Sequence, residues 1–135
     1  MSNPANAYAQ AARAAQTTQS PRDLEATILL KAASRLQIIK DNWPEREKDL
    51  DEALTYNRKL WTILVTGITS EESQMPLEIK RNIVALANFI FNHGFQVLAK
   101  PAPERLTVLI NINRDIAAGL RGRVPDENPQ ATNAA

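Results

Sequence analysis

The chain has 135 residues, 16 Lys and Arg against 15 Asp and Glu, a formal charge of +1 and no cysteine. That length suits one core with frayed ends and falls short of two ordinary domains. The near-zero charge gives no general pull toward nucleic acid or an anionic membrane, and the lack of Cys excludes disulfides, thiolate zinc sites and thiol nucleophiles.

Taken in chain order, residues 1–19 predict a weakly anchored first helix. Asn3 to Ala15 is alanine-rich, with Tyr8, Ala11, Ala12 and Ala15 on one side and Tyr8 as its one large anchor. Ser20-Pro21-Arg22-Asp23 reads as an N-cap, a proline at the first helical position and an acid at the third. The second helix that follows carries the stripe Ile28, Leu29, Ala32, Leu36, Ile39 and Trp43 and stops before Pro44. A third helix starts at Glu45, its acids crowded near the positive end of the helix dipole, and runs to about Val65, ahead of Gly67. Residues 66–74 read as a loop. Pro76 with Glu78 restarts the pattern for a fourth helix to about Ala99. Lys100-Pro101-Ala102-Pro103 makes a short stiff turn, and a fifth helix spans Glu104 to about Arg121, ended by Gly122. Residues 123–135, polar and broken by Pro125 and Pro129, form a tail expected to be disordered. The expectation is therefore all-α: a single-domain bundle of about five helices, with residues 20–122 as the helical domain. Met1 to Gln16 lacks the pattern of a secretory signal and no apolar run reaches bilayer length, so a soluble cytoplasmic protein is expected.

Two strings share one grammar, Asn57-Arg58-x-Leu60-Trp61 and Ile110-x-Ile112-Asn113-Arg114. Asn57 continues the stripe Leu50, Ala53, Leu54, Trp61, Leu64, and Asn113 continues Leu106, Leu109, Ile110, Ala117, Leu120, so both amides point at the core. A buried amide left without partners costs about 1–3 kcal/mol, so the packing must supply them. Trp61 reads as a core aromatic. For Arg58 and Arg114 the expectation is an ion pair with an internal acid such as Glu25 or Asp23, with a partner's carboxylate as the functional alternative.

The fourth helix is apolar on two sides. One holds Ile79, Ile83, Leu86, Ile90 and Val97, the other Val84, Phe91, Phe95 and Leu98. Such a helix is either central, the simpler reading in a five-helix bundle, or peripheral with a groove awaiting a partner helix. Val108 and Ile112 stand off the stripe of the fifth helix in the same way. Chemistry is scarce. His93 falls on an apolar face and reads as a hydrogen-bonded, partly buried histidine. Asp49, Asp51 and Glu52 read as a solvated face of i, i+3 and i, i+4 pairs, and Arg121-Gly122-Arg123 as a complement to a helix dipole. No catalytic, cofactor-binding or metal-ligating residue is assigned, and no enzyme activity is expected.

Tyr8, Ser20-Pro21-Arg22 with Glu25, Asn57-Arg58-x-Leu60-Trp61, a proline-led fourth helix and Leu109-Ile110-x-Ile112-Asn113-Arg114 with Gly119-Leu120 together resemble the flagellar biosynthesis regulator FlaF family of alphaproteobacteria. The likeness spans about residues 5–122. Met75 stands before Pro76 where the family pattern has leucine, a swap that conserves volume. The resemblance implies a small cytoplasmic protein required for flagellin production and export, acting with FlbT, a regulator of flagellin mRNA translation, and without enzyme activity. It fits a chaperone that holds a terminal amphipathic segment of flagellin as an added helix. The surplus apolar faces place the expected groove between the fourth and fifth helices, using Val84, Phe91, Phe95, Leu98, Val108 and Ile112. The alternatives are a post-transcriptional regulator acting with FlbT, directly or through a protein partner, and an adaptor joining export components. Near-neutral charge and few aromatics argue against direct contact with nucleic acid. Monomer and homodimer both stay open, since a groove and a dimer interface leave the same periodicity.

Overall fold

The computed structural model describes residues 21–122. The helix expected in residues 3–15 and the tail at 123–135 lie outside the described residues. Within them the chain runs through α1 (Pro21–Asp41), the one-turn α2 (Trp43–Arg46), a 3-10 turn (Glu47–Asp49), α3 (Leu50–Thr69), α4 (Leu77–Ala99), a second 3-10 turn (Pro103–Leu106) and α5 (Thr107–Leu120). No strand occurs among the described residues, and the all-α class stands.

Two boundaries differ from expectation, each for a visible reason. Pro44 can occupy only a first helical turn, so α1 ends at Asp41 and the chain restarts at once at Trp43. The Asn42 side-chain amide caps the break by donating to the Ile38 carbonyl at 2.9 Å. Residues 45–48 are exposed and have no apolar face to bury, so the predicted start of the third helix is a short α turn and a 3-10 turn instead. At the far end α3 runs through Gly67 to Thr69, because Ile68 is fully buried and holds the last turn against the core. The hydroxyls of Thr66 and Thr69 donate to the carbonyls of Thr62 and Val65 one turn back.

The four long helices make a ring with three closed seams. α1 packs on α5 and on α3, and α3 packs on α4. Buried Ala26, Ala32 and Ala33 give α1 a smooth face that neighbours can approach closely, while Leu29, Leu36, Trp61, Ile68, Leu106 and Leu109 fill the centre. The fourth seam, between α4 and α5, is loose. This corrects the central-helix reading of α4. It is peripheral: Ile83, Ala87, Ile90 and Val97 are buried, whereas Ile79, Val84, Phe89 and Phe95 are exposed.

Candidate partner-binding groove

The two Asn-Arg strings meet across the core. The Trp61 indole N–H donates to Asn113 Oδ1 at 2.8 Å, and Asn113 Nδ2 donates to Asn57 Oδ1 at 2.7 Å, a buried relay joining α3 to α5 across the ring. Among the described residues no buried side-chain nitrogen or oxygen lacks a partner. The arginines behave otherwise than expected. Arg58 lies over the Phe95 ring, 5.5 Å from its centroid, and Arg114 donates to Gln37 Oε1 at 3.4 Å. Neither makes an ion pair among the described residues. The acids named for them serve other arginines, Glu25 at 2.7 Å from Arg22 and Asp23 at 3.8 Å from Arg121.

The six residues expected to line one groove are divided. Phe91, Phe95 and Leu98 turn toward α3, where with Arg58, Leu54 and Leu109 they enclose a void of only about 10 Å³. That side is filled, although Phe95 remains 55% exposed under its arginine. Val84, 39% exposed, lies apart in a shallow dip with Leu77, Lys80 and Thr69. Val108 and Ile112 are half-buried on α5, four residues apart and in phase with Ile116.

Ile116 opens onto the larger feature. His93 Nε2 is 2.8 Å from the Arg105 carbonyl, which ties the C-terminal half of α4 to the turn before α5 and makes the two helices antiparallel neighbours. Toward the start of α4 they leave a hollow of about 310 Å³ lined by Met75, Ile79, Ile83, Leu86, Ile116 and Leu120, with Asn82 and Gly119 at its edge. Ile79 is 43% exposed there, and Leu86, Ile116 and Leu120 are half-buried. The groove therefore lies between the expected pair of helices but is built from the other side of α4. The sequence signal for it was the Ile79, Ile83, Leu86 stripe, which periodicity alone had assigned to the core.

The family described as flagellar protein FlaF has a sequence model that matches residues 4–120. The chain belongs to the FlaF family. That membership gives it a role in flagellum biosynthesis. No curated protein and no solved structure matches the chain. In this FlaF chain the remaining polar clusters are occupied by local partners. His93 stacks on Phe89 with centroids 5.3 Å apart while bonding the Arg105 carbonyl. Asp49 pairs with Arg46 at 3.2 Å and Glu52 with Arg35 at 3.3 Å, and Asp51 accepts from Thr55. Arg121 bonds the Thr27 hydroxyl at 2.7 Å and pins the end of α5 to the start of α1. Among the described residues no helix of this FlaF chain is long and apolar enough to cross a membrane.

Proposed function

We propose that this FlaF-family chain is a non-enzymatic cytoplasmic secretion chaperone that binds a terminal amphipathic segment of flagellin and promotes flagellin synthesis and export. The observation that carries the reading is the loose α4/α5 seam: an antiparallel helix pair whose facing aliphatic side chains are left partly in water. An amphipathic helix laid into such a groove supplies the missing side of the bundle, with its i, i+3, i+4 and i+7 residues as anchors. Flagellin termini are disordered before assembly under this reading, and capture hides their apolar stripes from premature filament contacts.

Co-elution on a sizing column tests it. Full-length protein and flagellin run as one complex, and Ile79→Glu combined with Ile116→Glu separates them while the helical circular dichroism signal is unchanged. Phe95→Glu, on the filled α3 side, leaves the complex intact. Persistent co-elution of the double variant would remove the groove from the mechanism. Co-elution with FlbT or with flagellin leader RNA in place of flagellin would move the reading to post-transcriptional control.

A further inference from the structure

We propose that the resting occupant of the α4/α5 groove is the chain's own N-terminal segment, Asn3 to Ala15, docked as a helix with Tyr8, Ala11, Ala12 and Ala15 against the hollow. This goes beyond the chaperone reading and does not depend on it. The first argument is where the segment enters. Arg121 at the end of α5 bonds Thr27 and pairs with Asp23, so the start of α1 at Pro21 lies beside Gly119 and Leu120, the rim of the groove. The second is length. The α5 face from Val108 to Leu120 is about 18 Å long, a 13-residue helix rises about 20 Å, and the five residues from Gln16 to Ser20 reach at most about 17 Å.

The third argument is chemical fit. No charged residue lines the hollow, and residues 1–20 carry a single charged side chain, Arg13, which a helix would turn away from the alanine stripe. Three alanines permit close backbone approach at Gly119, where the position of a Cβ meets open space, and Tyr8 supplies the one bulky plug. The other terminal segment suits the site less. It too leaves from the end of α5, but Pro125, Pro129, Asp126 and Glu127 oppose a helix and would carry charge into an apolar hollow.

The absence of cysteine makes the test direct, because a two-cysteine full-length variant reports one pair. Docking in this register puts residue 12 beside residue 116. Oxidised Ala12→Cys with Ile116→Cys closes within one chain about tenfold faster than Ala12→Cys with Asp115→Cys, one residue along on the exposed side and equally near the tether. Equal rates would overturn the proposal. A covalent dimer would do the same by giving the hollow to a second copy. Should a cysteine pair disturb folding, hydrogen exchange on full-length Tyr8→Asp decides. Faster exchange than wild type over Ile79–Leu86 and Ile112–Leu120, with α1 unchanged, is expected; no change there overturns the docking.

Discussion

Asn113 accepts from the indole of Trp61 and donates to Asn57, so one side chain holds two groups that have no access to water. Asn113→Leu strands both, and the expected loss is about 2–4 kcal/mol of unfolding free energy. Urea titration followed by tryptophan fluorescence reads it. Asn57→Leu combined with Asn113→Leu removes the amide pair together and costs measurably less than the two single losses added. Strict additivity would show that the relay is not a coupled unit. The burial of both amides was legible, because each asparagine sits in phase with its own helix's apolar stripe. Their pairing was not, since periodicity along one helix carries no information about the rotation at which another helix faces it. The same gap explains Arg58 and Arg114. Opposite charge nominated Glu25 and Asp23, but a neighbour at i+3 and an arginine 98 positions further along the chain reach those acids first.

At the scale of elements, two glycines predict stability changes of opposite sign. Gly67 lies inside α3 with open space at its Cβ position, so Gly67→Ala gains helix propensity without a clash and stabilises by about 0.5–1 kcal/mol. Gly122 terminates α5 in the left-handed region at φ 77, its N–H bonded to the Gly119 carbonyl at 3.0 Å. Gly122→Ala therefore destabilises by about 1 kcal/mol, and in a folded part of this size each kcal/mol moves the thermal midpoint by about 4–8 °C. Paired melting curves with shifts of the same sign would contradict the reading. The glycines also show where boundaries were legible. Gly122 follows its helix and marks a true stop, whereas Gly67 was taken for a breaker although Ile68 beyond it is buried. Tertiary burial outweighed a propensity cost of about 1 kcal/mol.

For the whole molecule, the bundle class and its four long helices followed from spacing and punctuation, but the site followed only in part. Sequence identified α4 and α5 as wide-faced neighbours, and the groove does lie between them. Which side of α4 lines it depended on how far α4 rolls toward α3, and that roll is set by Phe91, Leu98 and Arg58 closing around Leu54 and Leu109. The aromatics that looked spare were absorbed by the closed seam, and the aliphatics that looked like core were left at the open one. An open seam covered by the chain's own segment and opened for a client leads to a last prediction. A client that binds only the uncovered form has its apparent Kd raised by the fraction of molecules that are covered. Tyr8→Asp removes the anchor of the cover without touching the groove wall, so under the chaperone reading it tightens flagellin binding by about tenfold in calorimetric titration, up to the inverse of the uncovered fraction. Ile79→Glu in the same background abolishes that gain, because it damages the wall itself. Equal affinity of Tyr8→Asp and wild type for flagellin would mean that cover and client do not compete, and would place the flagellin site on a surface other than the α4/α5 seam.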